Sequence, residues 1–377
     1  MAIKNWVNTV ILSVVRDCNL RCKYCQTGPY LRENTNCSLM PLELVEKIIS
    51  ETLQLVENNK SFNSIEFHFS GGEPLLAGIK YFQNCLRLQN KYKKNGVEIE
   101  NSVQTNGTLI NDGWAKFFKE NNFGVSISID GPEQIQNVQR PMLDGTGSYC
   151  HVKNNLKLLD SYNVPFGLIG VVTKNSVLFV EPIVKFMLSC NPQNVVFLPC
   201  ADNSPIFNKD WQEFLTKAFD LWIDHQINKN SIPIRIFRDV CLFLCGISPV
   251  NRACDFSKKC LHPNISPDGI VSVCDQFVGK EVGVLGDLKK TSLASILNSS
   301  MSQDFSCRYE SLPESCEDCL YVELCNGGCA YRRYLNNGVD YLCESRKNIF
   351  KYIDSKIDSL LIKESDKPKV NLSDINK

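Results

Sequence analysis

The sequence predicts an α/β protein with a mainly parallel sheet, followed by a smaller cysteine-rich module. Short apolar segments alternate six times with amphipathic helical segments over roughly the first 230 residues. Apolar strands separated by helices are typical of parallel sheets whose faces are covered by helices. After residue 231 the repeat stops, and a turn-rich segment dense in cysteine runs from Cys254 to Cys343. These two observations define the expected architecture.

The individual elements follow from hydrophobic period and turn residues. The strand predictions are apolar runs that end at turn signals, and they cover residues 8–15, 64–69, 97–104, 123–129, 164–173 and 194–198. The helix predictions have a period near 3.6, and they cover residues 41–56, 77–92, 112–121, 147–162, 177–188 and 209–228. Pro41 suits the first turn of its helix. A last amphipathic helix is predicted at residues 349–362.

Composition narrows the function classes. Lys+Arg and Asp+Glu both number 41, no basic run stands out, and we therefore expect no nucleic-acid partner. No stretch approaches the roughly 18 unbroken apolar residues of a membrane span, so no membrane association is expected. The N-terminus lacks a signal-peptide pattern, which predicts a cytoplasmic protein. Nineteen cysteines in a reducing compartment point to metal centres rather than disulfides.

A cluster of three cysteines follows the first predicted strand. Cys18, Cys22 and Cys25 have the spacing C-x3-C-x2-C in a short loop. Three thiolates this close can ligate three irons of a [4Fe–4S] cube and leave the fourth iron open to a small molecule. A zinc site is the alternative, but structural zinc sites use four ligands.

This motif resembles that of the radical SAM enzymes. The resemblance implies a partial (β/α)6 barrel, which six βα repeats fit, and S-adenosylmethionine bound to the open iron. Reductive cleavage would give a 5′-deoxyadenosyl radical that abstracts hydrogen, with electrons from flavodoxin or ferredoxin. In this family an aromatic residue at the position of Tyr24 lies near the adenine; an ordinary packed tyrosine is the alternative.

Further resemblance identifies expected S-adenosylmethionine contacts. Gly71, Gly72 and Glu73 form the Gly-Gly-Glu-Pro turn after the second strand, where glycines permit close backbone approach and the carboxylate meets the methionine amino group. The family pattern assigns Ser128 to the ribose or methionine part and Arg140 to the carboxylate. For Arg140 a surface salt bridge is the alternative.

The eight C-terminal cysteines resemble the SPASM domain, which carries two auxiliary [4Fe–4S] clusters and so implies three clusters in total. One implied ligand set, the inner site, is Cys254, Cys260, Cys274 and Cys329. The other, the outer site, is Cys316, Cys319, Cys325 and Cys343. A zinc ribbon is the alternative for this region. The predicted domains are a radical SAM core (1–231), a bridge (232–253), a SPASM domain (254–345) and a C-terminal helix and tail (346–377). Eight further cysteines have no assigned role, and most of them are expected to be buried.

Asp275 directly follows Cys274. The chain resembles the anaerobic sulfatase-maturing enzymes, in which an Asp at this position accepts a proton as Cys or Ser is oxidised to formylglycine. It also resembles the maturases that crosslink ribosomally made peptides through cyclophane or thioether bonds. Ser70 and Thr27 depart from the Gln and Tyr that sulfatase maturases tend to carry, which suggests a changed substrate.

The predicted function is therefore a radical SAM oxidoreductase acting on a peptide or protein. The leading hypothesis is hydrogen abstraction, typically at Cβ, with oxidative modification or crosslinking of a ribosomal peptide. Sulfatase maturation is the first alternative. Modification of a small metabolite and a non-catalytic zinc or cluster scaffold are the others.

Overall fold

The structure is a computed structural model that describes residues 8–26, 38–58, 63–94, 96–201, 205–228, 232–247, 256 and 260–364. The side chains of residues 227–228 and 358–364 are not among those described. Two compact units are present. The first combines residues 1–167 with 258–311, and the second combines 168–257 with 312–377. The domain boundaries expected from the family pattern stay a prediction.

Within the described residues nine strands form. They are β1 (Thr9–Val15), β2 (Ser64–Gly71), β3 (Glu98–Thr105), β4 (Gly124–Ser128), β5 (Phe166–Val172), β6 (Asn194–Pro199), β7 (Asn264–Ile265), β8 (Ile270–Ser272) and β9 (Val284–Asp287). The first six lie within two residues of their predicted bounds. The last three are too short for a period of two to reveal them.

Thirteen α-helices lie in the same part of the chain. They are α1 (Leu42–Glu57), α2 (Ile79–Tyr92), α3 (Asp112–Glu120), α4 (Glu133–Gln139), α5 (Tyr149–Ser161), α6 (Val180–Ser189), α7 (Asn208–Asn228), α8 (Arg235–Leu244), α9 (Leu293–Leu297), α10 (Ser300–Glu310), α11 (Val322–Cys325), α12 (Ala330–Leu335) and α13 (Cys343–Glu364). The helix predicted at 177–188 is divided into a 3-10 turn and α6. The C-terminal helix begins at Cys343, six residues before its predicted start.

In the first unit the strands follow the order β4-β3-β2-β1-β7-β8-β9. The pairs from β4 to β1 and the β1–β7 pair are parallel, whereas β8 and β9 add antiparallel strands. The α/β class with a mainly parallel sheet is therefore confirmed. The β1–β7 pair joins distant parts of the chain, since Ile11 lies opposite Asn264.

Alternation along β2 separates an apolar face from a polar face. Phe67 and Phe69 are fully buried, while Glu66 and His68 on the opposite face are partly exposed. Phe69 packs at 4.9 Å, centroid to centroid, against Phe82 of α2. The aromatic core covers one face of the sheet. The candidate site lies at the strand ends, where the polar side chains are.

In the second unit, β5 and β6 are neighbours, and the Cys200 N–H donates to the Val172 carbonyl at 2.9 Å. Its long helices α7 and α13 are joined by the Tyr352 hydroxyl, which donates to the Asp220 carboxylate at 2.7 Å. Among the residues that the structure describes, no helix combines the length and apolar character that crossing a membrane requires.

Candidate active site and cluster sites

The three N-terminal cysteines lie in the loop that follows β1. Hydrogen bonds fix this loop to the segment after α4: the Arg21 N–H donates to the Pro141 carbonyl at 2.9 Å, and the Lys23 N–H to Gln139 at 3.0 Å. The Leu20 N–H donates to Cys18 Sγ at 3.4 Å. All three cysteines are partly exposed. The structure thus brings the three predicted thiols into one loop at the carboxyl end of β1.

Although the residues are partly exposed, loss of solvent around the thiol groups of Cys18 and Cys22 is the main influence on their pKa. It raises the pKa of Cys18 to about 12 and that of Cys22 to about 11, although the nearby Arg140 partly opposes the effect at Cys22. Glu73 and the other two thiols add to the rise at Cys18. Without a positive partner the sulfurs of Cys18 and Cys22 stay protonated, and an iron cluster would supply that partner.

We expect Cys18 to be alkylated slowly in the cluster-free protein. Only the thiolate attacks iodoacetamide, so a pKa raised from 9.0 to about 12 should slow alkylation at pH 8 by at least roughly 10-fold. The exposed Cys150 is the internal control. Mass spectrometry of timed digests measures both rates, and unfolding in urea should equalise them. Equal rates in the folded protein would contradict the prediction.

The two glycines after β2 serve backbone packing. A Cβ on Gly71 would overlap the Val15 carbonyl oxygen, and one on Gly72 would overlap the carbonyls of Arg16 and Asp17. The Gly72 N–H donates to Val15 at 2.7 Å, and the Glu73 N–H donates to Asp17 at 2.8 Å. The two glycines therefore let the backbone after β2 pack closely against the segment that leads into the cysteine loop.

Glu73 is fully buried between β2 and β3. Its carboxylate accepts hydrogen bonds from the Thr105 hydroxyl at 2.7 Å, the Asn106 N–H at 2.8 Å and the Leu75 N–H at 3.0 Å. Burial raises the pKa of Glu73 to about 7, and these three donors oppose the rise. A buried carboxylate close to Cys18 fits a ligand that carries an ammonium group.

Asn106 is a site residue without a predicted role. Its side-chain amide donates to Asn19 Oδ1 at 2.8 Å and contacts Cys18 Sγ at 3.9 Å. Its backbone N–H binds Glu73. Its position directly after β3, among polar residues, is the feature of the sequence that could have identified it as a site residue. Ser128 lies nearby at the end of β4, where its hydroxyl accepts from Gln104 Nε2 at 3.4 Å.

Tyr24, Asp130 and Arg140 form a buried cluster behind the cysteine loop. The Tyr24 hydroxyl donates to Asp130 at 2.7 Å, Arg140 Nε pairs with Asp130 at 3.1 Å, and the guanidinium lies 5.2 Å from the centre of the Tyr24 ring. Arg140 is 7 % exposed, so the interpretation as a surface salt bridge is wrong. The assignments of Tyr24 and Arg140 to S-adenosylmethionine stay predictions.

Asp275 opens a 3-10 turn directly after Cys274. The Asn264 side-chain amide donates from Nδ2 to the Asp275 carboxylate, and its Oδ1 accepts from the Ser13 hydroxyl at 2.9 Å. The neighbouring Gln276 accepts from Gln26 at 2.7 Å, next to Cys25. Asp275 is therefore held at a defined place beside the strand that leads into the cysteine loop.

In the second unit, Cys316, Cys319, Cys325 and Cys343 line one common pocket, together with Arg346 and Lys347. Burial raises the pKa of Cys316 and of Cys343. No three His, Cys, Asp or Glu side chains in the described part converge as ligands of a single metal ion. Four thiols around one pocket match the number of thiolates that hold a [4Fe–4S] cluster.

The other implied ligand set is only partly described. Cys254 lies outside the described residues. Cys274 is buried in the first unit, and Cys260 is partly exposed there. Cys329 in the second unit precedes α12, and its N–H donates to Asp340 at 2.9 Å. The ligation pattern expected for this inner site stays a prediction.

The remaining cysteines correct one expectation. Cys37 lies outside the described residues, and of the seven others only Cys85 and Cys200 are buried. The other five are partly exposed (Cys190 and Cys241) or exposed (Cys150, Cys245 and Cys307). The prediction that most of this group is buried is wrong, because small hydrophobic character does not override placement on a helix surface.

Two family models match the chain. The model of the radical SAM superfamily matches residues 12–179, and that of the SPASM iron–sulfur cluster-binding domain matches residues 254–320. Both predicted modules are thereby confirmed.

Relatives extend this similarity over nearly the whole chain. The cysteine-type anaerobic sulfatase-maturating enzyme of Clostridium novyi is 33% identical over 357 residues, which are 90% of this chain and 93% of that enzyme. The solved structure of anSMEcpe with bound AdoMet and the Kp18Cys peptide has a TM-score of 0.83 at 28% identity, covering 94% of this chain and 99% of that one.

A more distant structure shares the fold alone. Streptococcus suis SuiB bound to its precursor peptide SuiA has a TM-score of 0.62 at 14% identity, covering 89% of this chain and 75% of that one.

Proposed function

The chain belongs to the radical SAM enzymes with a SPASM domain, the family of the anaerobic sulfatase-maturating enzymes, and we propose that it oxidises a cysteine side chain in a peptide or protein. The relative from Clostridium novyi is a cysteine-type enzyme. The anSMEcpe structure holds a peptide together with AdoMet. Both similarities cover almost all of this chain, which supports a macromolecular substrate over a small metabolite.

The residues of this chain fit the iron–sulfur clusters and the S-adenosylmethionine that such an oxidation needs. Cys18, Cys22 and Cys25 would hold the reducible cluster. The contacts to S-adenosylmethionine would come from Tyr24, the Gly71-Gly72 turn, Glu73, Ser128 and Arg140. Cys316, Cys319, Cys325 and Cys343 would hold the outer auxiliary cluster, and Cys254, Cys260, Cys274 and Cys329 the inner one. When bound, these groups supply the 5′-deoxyadenosyl radical and accept one electron.

The proposed oxidation balances in atoms and charge. The cysteine residue loses a hydrogen atom from Cβ, a proton from Sγ and one electron. This leaves a carbon–sulfur double bond, and water then replaces the sulfur with oxygen and releases hydrogen sulfide. Asp275 takes the Sγ proton on its carboxylate, and a flavodoxin or ferredoxin would be the protein reductant that supports cleavage of S-adenosylmethionine.

The observation that carries this proposal is the placement of Asp275. A general base must be fixed near the proton that it removes. The Ser13–Asn264–Asp275 hydrogen bonds hold this carboxylate to β1, the strand that leads into the cysteine loop. The Gln26–Gln276 bond makes a second connection to that loop. A proton acceptor connected to the strand and loop that would hold the cluster suits a two-step oxidation.

Mass spectrometry of a substrate peptide tests the proposal. Anaerobically reconstituted enzyme, dithionite and S-adenosylmethionine are incubated with a cysteine peptide taken from a sulfatase, and with the same peptide carrying alanine. We expect the cysteine peptide alone to exchange its sulfur for oxygen, with 5′-deoxyadenosine formed in proportion. No change of mass, with S-adenosylmethionine cleaved, would exclude this substrate.

Crosslinking of a ribosomally made peptide is the second candidate, favoured by Ser70. Ser70 stands where sulfatase maturases tend to carry Gln, and it lies opposite Ser13 in the β1–β2 register. Ser13 belongs to the hydrogen bonds that hold Asp275, so the departure lies close to the proposed proton acceptor. A crosslink would remove two hydrogens and keep the sulfur, which the same mass measurement distinguishes.

A further inference from the structure

A buried charged group adjoins the outer four-cysteine site. Arg346 donates from Nη1 to Cys325 Sγ at 3.4 Å, and its Nη2 pairs with Asp340. Arg332 Nε donates to both Asp340 oxygens, to Oδ1 at 3.0 Å and to Oδ2 at 3.1 Å. The Arg346 and Asp340 side chains are 2% and 1% exposed. Together Arg332, Arg346 and Asp340 carry one net positive charge, and this charge lies beside Cys325, a proposed cluster ligand.

The turn between Cys325 and Cys329 leaves space for the Arg346 guanidinium. Asn326, Gly327 and Gly328, which join Cys325 to Cys329, all have positive φ, at 50°, 78° and 81°. A Cβ on Gly328 would overlap Asp340 and lie 3.0 Å from Arg346 Cζ. Glycine is therefore required where the backbone passes over the guanidinium.

Asp340 also connects this turn to the residues just before α13. Its Oδ2 accepts from the Cys329 N–H at 2.9 Å, and its Oδ1 accepts from the Leu342 N–H at 2.9 Å. The guanidinium groups of Arg332 and Arg346 both pair with this buried carboxylate, and two cationic partners favour its charged form. The carboxylate is thus ionised and offsets part of the positive charge beside Cys325.

We propose that Arg346 raises the reduction potential of the outer auxiliary cluster and that Asp340 limits this rise. Reduction adds negative charge to a cluster, and hydrogen bonds or cationic charge at its sulfurs stabilise the reduced state. The effect is strengthened where the charged group is shielded from water, as Arg346 is at 2% exposure. Arg346 is thereby a positioning and tuning residue that makes the outer site a better electron acceptor than it would be without this guanidinium. This rests on the proposed function, because it needs a cluster on these cysteines.

Redox titration of the full-length protein tests this directly. A background with Cys18, Cys22 and Cys25 replaced by alanine leaves only the auxiliary clusters to be followed by electron paramagnetic resonance. In it, Arg346→Gln should shift one midpoint potential downward, and Asp340→Asn should shift the same one upward. Structural damage would not produce opposite signs. Arg308→Gln, at an exposed position in α10, is the matched control and should change neither potential.

Iron and sulfide content distinguishes the two possible failures. Unchanged potentials, or shifts of the same sign, in variants with full iron content would overturn the role of Arg346 and leave the proposed function standing. Background protein that holds no auxiliary iron would overturn the proposed function itself. If Arg346→Gln loses iron, Arg346→Lys replaces it. Lysine keeps the charge but lacks the planar fork whose two nitrogens contact Cys325 and Asp340, so a downward shift is still expected and an unchanged potential contradicts the proposal.

Discussion

Asp275→Asn should lower product formation by about 100- to 10,000-fold, the usual contribution of a general base, while cleavage of S-adenosylmethionine continues. The amide keeps the size of the carboxylate and can still bond to Asn264, so the fold should be retained. What it loses is the capacity to take up a proton. Hydrogen abstraction precedes that step, so 5′-deoxyadenosine should form without a matching amount of product.

The measurement is a paired assay of 5′-deoxyadenosine by chromatography and of peptide mass. Asp304→Asn makes the same chemical change at an exposed position of α10 and should behave as wild type. If Asp275→Asn forms both products at wild-type rates, Asp275 has no role as proton acceptor. If both fall together, the residue acts earlier, in assembling the site.

Gly72→Ala should remove the N-terminal cluster and with it nearly all cleavage of S-adenosylmethionine. The new Cβ would lie 2.6 Å from the Asp17 carbonyl carbon, where only backbone movement can relieve the overlap. Forcing atoms into a packed site costs roughly 1–3 kcal/mol or more. Here the movement displaces the residues immediately before Cys18, so the three thiols should lose their common geometry.

Iron content and electron paramagnetic resonance check this outcome, with three clusters expected in wild type and two in the variant. Gly96→Ala is the control, because its φ of 82° carries the strain of a left-handed residue without any atom near the new Cβ. Its cost should be about 1–2 kcal/mol and leave the clusters in place. A Gly72→Ala protein with three clusters and normal cleavage would show that the close approach is dispensable.

Local pattern predicts much of this fold. The six long strands and their helices follow from hydrophobic period, because each depends on residues near one another in the chain. The short helix α4 was not predicted, since Glu133–Gln139 spans too few turns to show a periodic face. Strands β7 to β9 are two to four residues long and form through pairing with distant segments.

The candidate site divides in the same way. Cysteine spacing and the Gly-Gly-Glu-Pro turn identify candidate ligands because each motif is a short, continuous stretch of the sequence. The partners of those residues come from elsewhere: Ser13 and Asn264 are 251 positions apart, and Tyr24 meets Asp130 across 106. Contacts of that kind depend on strand order, which residue spacing does not contain. The pairing of Arg346 with Cys325 spans only 21 positions, but it depends on how the turn after Cys325 packs against α13, which residue spacing does not contain either.

The parallel pairing of β1 with β7 also bears on how the chain is made. During synthesis β1 leaves the ribosome more than 240 residues before Asn264, so one side of this apolar strand stays unprotected throughout. Exposed strand edges invite aggregation, and pairings distant in sequence form slowly. Fragments that end before residue 264 should therefore precipitate on expression, whereas extending them through β9 should restore solubility.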